Sequence, residues 1–204
     1  MNTNMNTKKL YLITNASPFD RQLKILKKVM PLGIDYLQYR QKSMPWEQAL
    51  DEIHQLSMLC HLFEVPLIIN DRLDVVTLTD AQGIHLGEED LPVKYVRRLG
   101  RPNLIIGATA KTPERAALCE NAGADYLGVG AFYQSSTKNN AKLISIETLK
   151  AIRSAVTIPI FGIGGLTPEN TTASIWEYVD GFAVSDAVFS NADPVDVVKH
   201  FKML

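Results

Sequence analysis

The apolar run Val65–Ile69 stops at Asn70-Asp71-Arg72, where a carboxamide and a carboxylate follow directly on residues fit for a buried strand. A turn accounts for Asn and Asp at such a place, since both hydrogen-bond their own backbone there. So does a site built on the carboxyl end of a strand. Further along, GIHLGEEDLP carries His85 and then Asp90 out of the next apolar run. Asp71 and Asp90, near the ends of adjacent strands, can share a divalent ion. Oxygen ligands with few imidazoles suit Mg²⁺, which keeps several waters and bridges to substrate phosphates. In YLQYRQK a period of two puts Gln38, Arg40 and Lys42 on one face of a strand, where an amide and two cations make poor core material. The competing reading ends that strand earlier and leaves the basic pair in solvent. Lys138 adds a third cation, Ser135 and Thr137 beside it add hydroxyl donors, and Thr109 adds another at the end of IIGAT. Gly164-Gly165 and the backbone near Ser185-Asp186 offer N–H groups close to helix starts, a ready anion site. Together these residues describe one phosphate site and one metal–polyphosphate site. A single histidine does not make a zinc site, so His85 is either a satisfied structural residue or a substrate contact able to transfer a proton.

Such residues converge only if the elements bearing them bring them to one place. Short β-branched runs at 9–15, 34–42, 65–71, 83–89, 103–110, 125–133, 158–165 and 181–189 alternate with amphipathic stretches. Residues 20–32, 45–63 and 146–156 read as helices, and compact crossovers follow Asp74 and Asp90. Thr112-Pro113-Glu114 and Thr167-Pro168-Glu169 both place a capping hydroxyl before Pro at a first helical position, which predicts helices from 113 and over 169–178. Eight such units predict an α/β fold, a TIM (β/α)₈ barrel, with chemistry at the carboxyl ends of its strands and a phosphate held after strands seven and eight. A doubly wound sheet is the alternative, but it favours a Gly-rich turn after the first strand, and here that strand runs into Thr14-Asn15-Ala16-Ser17. We expect one domain over residues 1–204, with 1–8 a loosely packed tail. Tyr11, Phe132 and Tyr133 read as barrel filling or an aromatic wall, and Trp46 and Trp176 as outer-layer packing.

Apolar residues make up 46% of the chain, charged residues 21%, and the net charge is −1, an ordinary globular balance without a basic patch for nucleic acid. The two cysteines, Cys60 and Cys119, have no partner at metal spacing and are expected to be buried free thiols. No run approaches the length of a membrane span. The expected setting is cytoplasmic, with small phosphorylated molecules as partners, no nucleic acid, no membrane, and a homo-oligomer left open.

The motifs YLQYRQK, PLIINDRLDVV, GIHLGEEDLP, IIGATAKTPERAALCENAGADYLGVG, STK and IGGLTPEN, in that order and spacing, resemble the thiamine-phosphate synthase (thiamine-phosphate pyrophosphorylase) family over nearly the whole chain. The thiazole tautomerase belongs to the same superfamily. The resemblance implies a Mg²⁺-assisted transferase that couples 4-amino-5-hydroxymethyl-2-methylpyrimidine diphosphate to 4-methyl-5-(2-phosphoethyl)thiazole, giving thiamine phosphate and pyrophosphate. It implies that Gln38 contacts the pyrimidine and that Arg40, Lys42, Asn70 and Lys138 hold the diphosphate, with Arg40, Lys42 and Lys138 the catalytic cations. Asp71 and Asp90 fall on the metal carboxylates. Thr109 stands where the family usually has Ser and keeps a hydroxyl for the diphosphate. Ser135 and Thr137 match a Thr pair near the thiazole. Gly164, Gly165 and the backbone of Ser185–Asp186 would take the thiazole phosphate, and Gln134–Lys142 would be a lid.

The chain departs from that pattern in two places. The run after STK is NNAKLIS, where the family has an acid and then a glycine. Asp186 replaces a serine, and its carboxylate would repel the thiazole phosphate if it faced it. These departures keep two alternatives open, a tautomerase-like paralogue with His85 as its proton-transfer group, and a phosphate-ligand binding barrel with another substrate.

Overall fold

The computed structural model describes residues 8–41, 45–134 and 142–204. The β-branched and aromatic runs form eight strands: β1 (Lys9–Ile13), β2 (Tyr36–Tyr39), β3 (Leu67–Asn70), β4 (Gly83–Leu86), β5 (Ile105–Ala110), β6 (Tyr126–Val129), β7 (Ile160–Ile163) and β8 (Gly181–Val184). All pair in parallel in chain order, and β8 returns to β1 to close the barrel. Parallel neighbours need a crossover, and these carry α1 (Phe19–Val29), α2 (Trp46–Leu62), α3 (Leu73–Leu78), α4 (Val93–Leu99), α5 (Pro113–Asn121), α6 (Ile146–Ala155) and α7 (Ala173–Trp176), while α8 (Asp186–Phe189) and α9 (Pro194–Met203) follow β8. This is the expected single-domain (β/α)₈ barrel.

Strand alternation divides the core in two. On β1, Leu10 and Leu12 face the helix layer, while Tyr11 and Ile13 face the barrel interior. The interior is floored by Tyr11, Tyr36, Tyr126 and Phe161, with the Tyr11 ring centroid 5.4 Å from those of Tyr36 and Phe161. Tyr11 is therefore barrel filling, whereas Phe132 belongs to the outer cluster. Cys60 and Cys119 are free and buried, as expected, and burial pushes the Cys60 thiol up to about 12. Among the described residues no helix is long and apolar enough to cross a membrane.

Two expectations need correction. The second strand ends at Tyr39, so Arg40 lies beyond it and the period-two argument for a shared face does not reach Arg40. The Arg40 N–H donates to the Thr14 hydroxyl at 2.8 Å, which takes the place of a ladder carbonyl. The Thr112 side chain caps α5 as predicted, accepting from the Arg115 N–H, but its look-alike at Thr167 starts no long helix. Asn170 instead ties that segment into a loop, its Oδ1 accepting from the Thr167 N–H and its Nδ2 donating to the Gly165 carbonyl, each at 2.8 Å. Only the short α7 follows. At the other end of the chain, Lys8 donates to the Val179 carbonyl at 2.7 Å, while residues 1–7 of the expected tail lie outside the described residues.

Candidate active site

The stretch after β3 makes an abrupt turn. Asn70 is the last residue of the strand and sits in register beside His85. Asp71 then adopts the left-handed backbone conformation at φ 64°, and its N–H donates to the His85 carbonyl at 2.9 Å. A β-branched side chain would resist that conformation, whereas Asp and Asn tolerate it. The turn leaves Asp71 half-exposed at the carboxyl rim of the barrel. Arg72 is drawn away from the rim, its guanidinium paired bidentately with Asp74 and lying over the Trp46 ring. The loop after β4 is pinned by its own acid, because Asp90 Oδ2 accepts from the Gly87 N–H at 2.6 Å. Carboxylates thus stand on the loops of two adjacent strands. Among the described residues no group of three or more His, Cys, Asp or Glu side chains gathers in one place.

Below the rim, polar side chains cross the barrel interior. Gln38 Nε2 donates to the Tyr11 hydroxyl at 2.8 Å, and that hydroxyl is 2.8 Å from the Tyr126 hydroxyl. Tyr126 in turn lies 3.2 Å from His85 Nδ1, and His85 Nε2 lies 3.1 Å from Thr109 Oγ1. Gln38 and Thr109, two residues expected at the substrate, therefore stand at the ends of one buried chain. Burial holds His85 at about 4, well below the ordinary imidazole range, against the opposing pull of the Asp90 charge. Burial likewise raises the Tyr11 and Tyr126 phenols. A histidine kept neutral in the fold and charged when unfolded weakens the fold as pH falls, since the unfolded chain then binds the extra proton. The effect begins below the unfolded value near 6.5, and no further stability is lost below about 4. It amounts to roughly 3 kcal/mol across that window. Urea midpoints of the wild-type protein should fall between pH 6.5 and 4 more steeply than those of His85→Asn.

The opposite side of the rim is built from backbone. Gly164 and Gly165 have φ of 96° and 65°, and a Cβ on either would strike the chain at Ala131 or Tyr133. Only glycine lets the loop after β7 pass so close to the loop after β6, and the Tyr133 N–H donates to the Gly164 carbonyl across that contact. Ser185 precedes the short α8, with its Oγ buried and without a hydrogen-bond partner among the described residues. Asp186 Oδ1 accepts from Asn15 Nδ2 at 2.8 Å, so its carboxylate is engaged by the loop after β1. Asn15 is itself locked in place. Its N–H donates to Gln22 Oε1, its carbonyl accepts from Gln22 Nε2, and its Oδ1 accepts from the Ser17 N–H.

Gln38, Arg40, Asn70, Asp71, His85, Asp90, Thr109, Gly164, Gly165, Ser185 and Asp186 all lie at or just beyond the carboxyl ends of strands, the end where barrels carry their chemistry. Lys42, Ser135, Thr137 and Lys138, and the lid segment between Gln134 and Lys142, lie outside the described residues. Sequence reasoning missed Asn15, Gln22 and the Tyr11–Tyr126 pair. A signal existed for the tyrosines, since each occupies an inward strand position where an aliphatic side chain would fill the floor without needing a partner.

Fold and rim define the class, a (β/α)₈ barrel enzyme with amide and acidic groups at the ends of β3 and β4 and a glycine-built loop after β7. The family model for thiamine monophosphate synthase (TMP-TENI) matches residues 10–188. The chain is 36% identical over 200 residues to thiamine-phosphate synthase of Clostridium perfringens strain 13, covering 98% of this chain and 97% of that one. It is 41% identical over 184 residues to thiamine-phosphate synthase 2 of Streptococcus pneumoniae TIGR4, covering 89% and 87%. Its structure is similar to thiamine phosphate pyrophosphorylase from Pyrococcus furiosus, with a TM-score of 0.85 and 30% identity over 98% of this chain and 96% of that one. This chain belongs to the thiamine-phosphate synthase family.

Proposed function

We propose that the protein joins 4-amino-5-hydroxymethyl-2-methylpyrimidine diphosphate to 4-methyl-5-(2-phosphoethyl)thiazole, forming thiamine phosphate and releasing pyrophosphate. Beyond family membership, the observation that carries this reading is the turn at Asn70-Asp71. It sets a carboxamide beside His85 and brings a carboxylate to the rim next to the Asp90 loop. Gln38 meets the pyrimidine. Asn70, Thr109, Arg40, Lys42 and Lys138 hold the diphosphate, the three cations offsetting the charge that grows on the leaving oxygens. Ser135 and Thr137 line the thiazole. Backbone at Gly164, Gly165 and Ser185–Asp186 receives its phosphate, and the bond from Asn15 to the Asp186 carboxylate lessens the repulsion expected there.

The donor set suits Mg²⁺. Asp71 and Asp90 would hold the ion through hard carboxylate oxygens, the donors it favours, and Asp90 keeps lone pairs beyond the one used by the Gly87 N–H. Bound there, the ion would neutralise charge on the departing pyrophosphate. The reaction breaks the C–O bond to the diphosphate, which takes the electron pair. The amino-substituted pyrimidine spreads the positive charge left on carbon, and the thiazole nitrogen forms the new C–N bond. No covalent enzyme nucleophile is needed, so the residues act by holding two substrates in line and excluding water. A tautomerase-like activity would need a free acid or base near the thiazole, and His85 is buried with both ring nitrogens engaged.

Incubation with both precursors and Mg²⁺ should yield thiamine phosphate and pyrophosphate in equal amounts, stop on adding excess chelator, and resume when Mg²⁺ is restored. Turnover of the carboxylated thiazole phosphate without metal, and no coupling, would replace this reading with the tautomerase one. The same proposal carries a cytoplasmic setting, which the two buried free thiols support.

A further inference from the structure

We infer that the buried chain Gln38–Tyr11–Tyr126–His85–Thr109 runs in one direction only, and that it sets the Thr109 hydroxyl as a donor to the substrate, making Tyr126 and His85 positioning residues for the pyrimidine diphosphate. The direction follows from its ends. Gln38 Nε2 has only protons to give, so the Tyr11 oxygen accepts. Tyr11 is 1% exposed, and the acceptor its own proton reaches is the Tyr126 oxygen at 2.8 Å. The Tyr126 proton then points to His85 Nδ1, which must carry a lone pair. A neutral imidazole so engaged holds its proton on Nε2 and donates it to Thr109 Oγ1. Thr109 is left with its own hydroxyl proton, and the residue is half-exposed at the end of the chain. Run the other way, the chain would have Tyr11 accept twice and leave its proton buried without an acceptor, an arrangement that carries the full desolvation cost.

The fold makes room for this path. A Cβ on Gly107 would overlap the Tyr126 ring, and one on Gly128 would press on His85 Cε1 at 3.1 Å. The His85 and Tyr126 rings also stack, 5.6 Å between centroids. The chain joins strands β1, β2, β4, β5 and β6, so it orients two substrate contacts on opposite walls with one set of protons.

The functional half of this inference rests on the reading that Gln38 and Thr109 meet substrate, and the direction does not. In nitrogen-15 NMR of the substrate-free protein, His85 should show a pyridine-type Nδ1 and a pyrrole-type Nε2. A pyrrole-type Nδ1 overturns the direction whatever the enzyme catalyses. Tyr126→Phe keeps the ring and removes the link. It should mix the His85 tautomers, raise KM for the pyrimidine diphosphate about tenfold, as expected for one misdirected hydrogen bond, and leave KM for the thiazole phosphate unchanged. A merely structural role would lower the active fraction and thermal midpoint without moving either KM, and that result overturns the positioning role. If Tyr126→Phe does not fold, Tyr11→Phe breaks the chain one link earlier and is judged by the same two KM values. Absence of coupling by the wild-type protein would refute the proposed reaction, and binding of the pyrimidine diphosphate by calorimetry then replaces KM. Equal affinity in wild type and variant would overturn the positioning role there too.

Discussion

Asp71→Asn is expected to lower kcat/KM for coupling by about 10²–10³, the range for losing one preorganised electrostatic contact to a developing charge, while stability changes by less than about 1 kcal/mol. The choice of Asn follows from the backbone. Asp71 sits at φ 64°, where Ala carries a steric cost of roughly 1–2 kcal/mol and Asn does not. Asp71→Ala would therefore mix a fold defect with a charge defect. Asn keeps the N–H that bonds the His85 carbonyl and keeps the side-chain shape, so the change is confined to the carboxylate, which loses its charge and one acceptor oxygen. If that charge helps hold an ion, the Mg²⁺ concentration for half-maximal rate should rise in the variant, and saturating Mg²⁺ should restore part of the rate. Steady-state rates across a Mg²⁺ series, beside urea denaturation, separate the two effects. A variant that loses stability and activity together, with no change in Mg²⁺ requirement, would argue that Asp71 is only a turn residue.

The barrel was legible because its signal is periodic and repeated. Eight apolar runs spaced by amphipathic ones leave few other topologies, and each strand appeared where a run stood. The strand ends were less legible. YLQYRQK alternates beyond Tyr39, but the Thr14 hydroxyl takes the Arg40 N–H and the ladder stops. That bond joins residues 26 positions apart, so local pattern does not reveal it. The two Thr-Pro-Glu triplets were equal in sequence, and the residue after each separated them, Arg115 in one and Asn170 in the other. One meets a helix docked on the barrel, the other a loop folded over the Asn170 amide. The site was legible where residue type alone was odd, as with a carboxylate after a core strand. It was not legible where ordinary core residues carry the polar work. Tyr11 and Tyr126 look like filling until their hydroxyls are seen to meet between Gln38 and His85.

Gly107→Ala should be a strongly damaging single methyl in the barrel interior. A Cβ there would lie 2.0 Å from Tyr126 Cζ and 2.3 Å from its hydroxyl oxygen. The Tyr126 ring has little room to yield, because Tyr11, Tyr36, Phe161 and His85 pack around it at centroid distances of 5.4–5.8 Å. Overpacking of an enclosed core site costs about 1–3 kcal/mol or more, and the enclosure places this change at the upper end. For a chain of this size that is a drop in thermal midpoint of roughly 6–12 °C. Moving the ring would also pull the Tyr126 hydroxyl from between Tyr11 and His85, so the protein that still folds should bind the pyrimidine diphosphate poorly. The cause can be isolated by a double-mutant cycle. Tyr126→Leu removes the ring atoms that the new methyl would strike, so Gly107→Ala should cost far less in that background than in the wild type. Phe at 126 should not relieve it, because Cζ remains. Additive losses across the Leu cycle would mean that the methyl acts elsewhere on β5. A strong coupling would establish that residue 107 lacks a side chain because the ring of residue 126 lies across its backbone there.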